Sequence, residues 1–189
     1  MDENLYNLEQ SVLEAPVVWK GEYPYFVHPL TDGVPRLNPQ ILNGVTDLIH
    51  SMVDWNHIDV ILGIEAMGLP LASLLSSKSG KPLVVARKRS YGLENEVVVD
   101  QSTGYSKGEL YLNDLKSGEH VLIVDDVLST GGTMEAIISG VKKTGAIIKN
   151  IIVVFEKGDG LQKVSKKCMV EIESLVKIKM VGDEVTILR

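Results

Sequence analysis

Residues 121–133, VLIVDDVLSTGGT, decide how the chain is read. Val121 to Val124 form a short unbroken apolar run of the kind a buried parallel strand uses. Asp125 and Asp126 stand at the expected end of that strand, and Ser129, Thr130, Gly131, Gly132 and Thr133 form a turn. Met134, Ile137, Ile138 and Val141 then recur at helical spacing, so the turn opens a helix. Consecutive amides at a helix N-terminus, with two glycines permitting close approach, make a cradle for an anion such as a phosphate monoester. The neighbouring carboxylates can accept hydrogen bonds from vicinal hydroxyls or attract a hard cation such as Mg²⁺. Taken apart, the aspartates could be a solvated turn and Thr133 a plain helix cap. Taken together, after a buried strand, they suit a molecule carrying both groups, as a ribose 5-phosphate does.

Further apolar runs repeat the pattern of the first. DVILGI (59–64), PLVVARK (82–88) and IIVVF (151–155) read as strands alternating with helices, which predicts a doubly wound α/β domain with a mainly parallel sheet. Ligands of such sheets sit beyond the carboxyl ends of the strands. Before this core, Leu5, Leu8, Val12 and Leu13 predict a short amphipathic helix, residues 17–37 read as strand and loop, and Asn38 with Pro39 open the next helix. Two segments, EVVVD and ELYLN, flank the polar tip QSTGYSKG and predict a β-ribbon. The tail closes in a hairpin around Gly182 and Asp183. One domain over 1–189 is expected, with 1–37 supplying an N-terminal helix and small lid and 89–114 a flexible ribbon loop.

Composition excludes several classes. A formal charge of −6 lacks the basic excess of a nucleic-acid or anionic-membrane binder. The single cysteine, Cys168, allows no disulfide framework and fits a reducing cytoplasm. The acidic start MDENLYNLEQ is unlike an export signal, and no apolar run reaches membrane-spanning length. Neither G-x-x-x-x-G-K-[ST] nor G-x-G-x-x-G occurs, which disfavours P-loop nucleotidases and dinucleotide enzymes. His28, His50, His57 and His120 lack metal-ligand spacing.

The stretch 121–133 resembles the signature of the type I phosphoribosyltransferases for 5-phosphoribosyl 1-diphosphate (PRPP): four apolar residues, two acids, a variable stretch and a Ser/Thr-Gly-Gly-Thr turn. The resemblance extends over most of the chain and is nearest to the archaeal hypoxanthine/guanine branch, which is built like the adenine enzymes. It implies the type I phosphoribosyltransferase fold and transfer of the phosphoribosyl group to hypoxanthine or guanine. It assigns Asp125 and Asp126 to the ribose hydroxyls and residues 129–133 to the 5-phosphate. It also implies a pyrophosphate loop at Glu65, Ala66, Met67 and Gly68, with Glu65 to Ala66 as the expected cis bond. Adenine enzymes commonly carry arginine in that loop. Here Met67 stands there, so Arg87 and Lys88 are expected to supply the charge.

Tyr105 and Lys107 match the mobile catalytic loop, but Gly104 replaces the usual glutamate, so no carboxylate is assigned as proton acceptor. The base is expected between Tyr25, Phe26 and His28 of the lid and Val127 and Leu128. Lys157, beside Glu156, is expected to donate to a 6-oxo group, favouring hypoxanthine and guanine over adenine. Mg²⁺ held mainly by PRPP and water, and a homodimer, are further implications. Some relatives of this kind sense PRPP as transcriptional regulators. They carry an added DNA-binding domain, whereas here only a short acidic helix precedes the lid.

Overall fold

The computed structural model describes residues 2–21, 23–102 and 107–188, with the side chains of Lys20, Tyr23, Ser102 and Lys107 outside that description. Helix α1 (Glu3–Leu13) starts at Asp2, whose Oδ1 accepts from the Asn4 amide at 2.8 Å. A hairpin of β1 (Val17–Lys20) and β2 (Tyr23–Phe26) follows, then one helical turn, α2 (Pro29–Asp32). The sequence predicts only strand and loop over 17–37, because four residues are too few to reveal a helical period. Local chemistry sets this turn. His28 caps it, Pro29 pre-forms its first φ angle, and Gly33 ends it in the left-handed region at φ 71°.

Helix α3 (Pro39–Met52) begins where Asn38 and Pro39 predict, the Asn38 side chain accepting from the Gln40 amide at 2.8 Å. Next come β3 (Val60–Ile64), α4 (Gly68–Ser79), β4 (Leu83–Ala86) and the antiparallel ribbon β5 (Val97–Ser102) and β6 (Lys107–Leu112). The chain continues through β7 (His120–Leu128), α5 (Gly132–Thr144), β8 (Ile147–Lys157), α6 (Gly160–Cys168), β9 (Glu173–Val181) and β10 (Glu184–Leu188). No helix among the described residues is long and apolar enough to cross a membrane.

Six strands form the central sheet in the order β10-β9-β8-β7-β3-β4, with only β10 antiparallel to its neighbour. The predicted doubly wound, mainly parallel sheet is therefore present. One face buries Leu8 and Val12 of α1, Val45 and Ile49 of α3, and Leu71 and Leu75 of α4. The other buries Ile137 and Val141 of α5, Val164 of α6, and Val99, Leu110 and Leu112 of the ribbon. With both faces covered, every residue of β3 is buried, which explains its unbroken apolar sequence.

Chain direction reverses between two neighbouring strands. From β3 the chain winds outward through α4 to β4, whereas from β7 it winds the other way through α5, β8 and α6 to β9. The crevice beyond the carboxyl ends of β3 and β7 is thus the topological switch point, where open α/β sheets bind ligands. One sequence expectation needs correction, and one helix is missed. Strand β7 does not end before the aspartates. It pairs with β8 through Asp125↔Val153 and on to Leu128↔Glu156. Helix α6 goes unforeseen because GLQKVSKKC buries only Gly160 and Val164, too few apolar residues to set a period.

Candidate active site

Extension of β7 past the apolar run carries Asp125 and Asp126 into the sheet edge, where they are 8% and 7% exposed. These carboxyls are therefore not a solvated turn. Burial pushes the Asp125 carboxyl up to about 6, with the Lys88 charge opposing. Burial, and then the charge of Asp125 beside it, raise Asp126 well above the usual carboxylate range. Gly68 allows this arrangement, since a Cβ there would lie 2.9 Å from the Val124 carbonyl oxygen and 3.0 Å from Asp125 Oδ1.

Beyond Leu128 the chain turns through Ser129 to Gly131, and Gly131 enters α5 at φ 89°, a left-handed conformation that favours glycine. A Cβ at Gly131 would also overlap Val164 of α6. Gly160, the first residue of α6, is pressed against the same turn: a Cβ there would overlap the Ser129 carbonyl oxygen. The turn is thus clamped by α6, and it borders a cavity of about 310 Å³ lined by Tyr25, Asp125, Val127, Leu128 and residues 129–134. Sequence reading does not find Gly160. Its only signal is the glycine itself, in an unremarkable KGDG loop.

Across the crevice, β3 leads into Glu65 to Gly68. The Glu65–Ala66 peptide is cis, as the resemblance implies. Glu65 Oε2 accepts from the Lys88 amide at 3.0 Å and lies 3.3 Å from Arg87 Nε. Glu65 thereby fastens the basic pair that leaves β4 to the loop that leaves β3. Arg87 also exchanges two backbone hydrogen bonds with Tyr111 of β6, at 3.0 and 2.8 Å, which anchors the ribbon beside this loop. Met67 faces the lid, its Sδ 3.4 Å from where a Cβ on Gly33 would stand.

In the lid, Tyr25 donates its hydroxyl to Asp32 Oδ1 at 2.9 Å, and Asp32 Oδ2 accepts from the His28 amide at 3.1 Å. The Asp32 charge also acts on Asp126. Asp32 is a second residue the sequence does not single out. Phe26, at the end of β2 in the lid, is 5% exposed, stacked on His28 with centroids 5.5 Å apart and edge-on to Phe155 at 5.8 Å. Neither Phe26 nor Lys157 belongs to the cavity lining. Lys157 ends β8, one residue beyond a buried Glu156 that accepts from Lys177 Nζ at 2.7 Å. Tyr105 lies outside the described residues, as does the side chain of Lys107.

His28 is 1% exposed, and burial, opposed by Asp32, lowers its pKa from 6.5 to about 4. Its neutral ring accepts from the Leu30 amide at Nδ1 and reaches Ser11 Oγ through Nε2, each at 3.1 Å. A depressed histidine pKa stabilises the fold above the unfolded value, and that contribution is lost as pH falls from about 6.5 through about 4. His28→Gln should therefore lose less stability between pH 7 and pH 5 than the unsubstituted protein in urea unfolding. An equal loss would contradict the buried neutral ring.

Chemically, the crevice offers amides for a phosphate, two carboxyls for hydroxyls, and basic groups with a loop for a second anion. Known proteins of one family are similar to this chain. A family model described as "Phosphoribosyl transferase domain" matches residues 37–185. A hypoxanthine/guanine phosphoribosyltransferase of Ferroglobus placidus is 51% identical over 97% of this chain and 97% of its own length. The protein of the same name from Methanocaldococcus infernus is 52% identical over 95% and 98%. Among solved structures, the adenine phosphoribosyltransferase of Saccharomyces cerevisiae superposes with a TM-score of 0.76 at 20% identity, covering 93% of this chain and 99% of its own. That of Rhodothermus marinus gives 0.74 at 20% identity, covering 92% and 98%.

Proposed function

Because the chain belongs to the phosphoribosyl transferase domain family, we propose that it is a purine salvage enzyme. It transfers the 5-phosphoribosyl group of PRPP to hypoxanthine or guanine, giving IMP or GMP and pyrophosphate. The observation that carries the reaction is the meeting of the buried Asp125 carboxyl and the clamped turn 129–133 at one cavity, with the Asp126 carboxyl buried next to Asp125. The choice of base rests on the relatives, which share about half their residues with this chain and are named for hypoxanthine and guanine. Adenine is the second reading, favoured by fold neighbours at far lower identity.

In this reading the amides and hydroxyls of residues 129–133 hold the 5-phosphate, and Asp125 and Asp126 accept from the ribose 2- and 3-hydroxyls. The loop 65–68, with Arg87 and Lys88, receives the pyrophosphate. The bond from C1 of the ribose to the diphosphate oxygen breaks, and a bond from C1 to a purine ring nitrogen forms, with loss of the nitrogen's proton. Positive charge develops on the ribose near the carboxylates, and negative charge develops on the leaving group beside Lys88. Such fixed charges act in the transition state without reorganising. Val127, Leu128 and Tyr25, which line the cavity, would shape the base site; Phe26, packed on His28 and Phe155, and Lys157, at the end of β8, lie outside that lining. Tyr105 and Lys107 would close over the reactants and exclude water.

Mg²⁺ supplies neutralisation of the diphosphate charge when bound. Two adjacent carboxyls at the ribose end, with no cluster of three ligating side chains among the described residues, fit a cation held mainly by substrate oxygens and water. A homodimer follows from the resemblance, since in some members the arginine of this basic pair reaches across a subunit contact. We further propose that the whole chain works as one domain in the cytoplasm, with 1–37 as lid and 89–114 as closing ribbon.

The test is incubation with Mg²⁺, PRPP and each of hypoxanthine, guanine, adenine, xanthine and uracil, with nucleotide and pyrophosphate measured by chromatography. IMP and GMP are expected, and EDTA should abolish both. AMP alone would overturn the base assignment, and no product with any base would overturn the enzyme reading.

A further inference from the structure

Among the described residues, a polar contact joins the ribbon to the start of α5. Gln101, near the end of β5, donates from Nε2 to Thr133 Oγ1 at 2.6 Å. The contact is held by packing behind it. Val99, Leu110 and Leu112 of the ribbon are buried in the same cluster as Ile137 and Val141 of α5. Helix and ribbon approach so closely that a Cβ at Gly140 would lie 2.9 Å from Val99 Cγ1. Thr133 itself is the second residue of α5, at the end that faces the cavity.

Donor and acceptor accounting gives this contact a direction. A threonine hydroxyl has one hydrogen and two lone pairs, whereas the amide nitrogen of glutamine can only donate. Gln101 therefore fills a lone pair of Thr133 Oγ1 and leaves the hydroxyl hydrogen for another acceptor. In the proposed reading that acceptor is an oxygen of the 5-phosphate. We propose that Gln101 is a positioning residue of the 5-phosphate subsite, acting through Thr133 by aiming its hydroxyl hydrogen at the phosphate. The inference rests on the phosphoribosyltransferase reading and extends it to the ribbon. The strand that leads to the predicted closing loop also completes the phosphate site.

Steady-state kinetics of the full chain test it. Gln101→Met keeps the length of the side chain without its hydrogen bond and should raise the KM for PRPP roughly 3- to 10-fold. The KM for hypoxanthine should not change. Gln101→Glu can only accept, so it competes for the hydroxyl hydrogen and adds a negative charge, and should raise the PRPP KM roughly 30-fold or more. The decisive arm is a double-mutant cycle. In a Thr133→Val background Gln101→Met should have no further effect, while in a Thr133→Ser background, which keeps the hydroxyl, its effect should persist. Effects that add fully in the valine background, or KM values that rise equally for both substrates, would overturn the inference while leaving the enzyme reading intact. Failure of the unsubstituted protein to bind PRPP would overturn both, and it is read before any substitution is made.

Discussion

Asp125→Asn combined with Asp126→Asn is expected to weaken PRPP binding by a factor of about 10² to 10⁴, because each amide lacks the charge and replaces one acceptor oxygen with a donor, at about 1.5–3 kcal/mol per site. The same variant is expected to unfold at a higher temperature than the unsubstituted protein at pH 7 without ligand. Both carboxyls have folded-state pKa values raised above the unfolded value, chiefly by burial. Their ionised forms therefore cost stability, and the fold gains protons, and stability, on acidification: for Asp125 as pH falls from about 6 toward 4, and for Asp126 in the same direction. Neutral asparagines remove that cost at pH 7, and the difference between the two proteins should close at pH 4. A hydroxyl donates more strongly to an ionised carboxylate, so PRPP affinity of the unsubstituted protein should itself fall as Asp125 is protonated below about pH 6. Calorimetric titration with PRPP and thermal melts at the two pH values measure both effects. Unchanged affinity would remove the ribose from this pair, and a lower melting temperature at pH 7 would contradict the cost of its burial.

The second large effect comes from a residue with no functional group. In Gly160→Ala the new methyl would stand 2.7 Å from the Ser129 carbonyl carbon and 2.9 Å from that of Thr130, closer than packed carbons come. These are backbone atoms, so no side-chain rotation relieves the overlap, and the turn or the start of α6 has to move. Overpacking of this kind costs about 1–3 kcal/mol in stability. Displacing amides that are meant to converge on a phosphate should raise the PRPP KM by roughly 100-fold, the equivalent of about two hydrogen bonds. A melt and a PRPP saturation curve suffice. A normal KM would mean that α6 does not set the position of the turn.

These two sites differ in how legible they are. The aspartates are visible in the sequence because strand, acids and turn are contiguous, so one short window holds the whole pattern. Their burial is not visible, since adjacent acids after an apolar run read equally well as a solvated strand end. Only pairing of β7 with β8 out to Leu128 puts them inside. The sheet is legible for a simple reason: strands covered on both faces must be apolar throughout, as Val60 to Ile64 are.

Gly160, Asp32 and Gln101 are not legible because each acts on a partner far away in sequence. Gly160 matters through Ser129, Gln101 through Thr133 at a separation of 32 residues, and Asp32 through its charge on Asp126. Helix α6 escapes for the opposite reason: it makes few buried contacts of its own, and its importance lies in where its first residue sits. Phe26 carries the right chemistry for a base platform, but whether an aromatic ring faces a ligand or a core depends on Phe155 and His28, which only the fold brings to it.

The most direct measurement is a crystal structure of the protein with PRPP and Mg²⁺. The account predicts the 5-phosphate within hydrogen-bonding distance of the amides of residues 129–133, with the ribose 2- and 3-hydroxyls on Asp125 and Asp126. A ribose bound elsewhere, or a pyrophosphate group seated in the turn after β7, would contradict it.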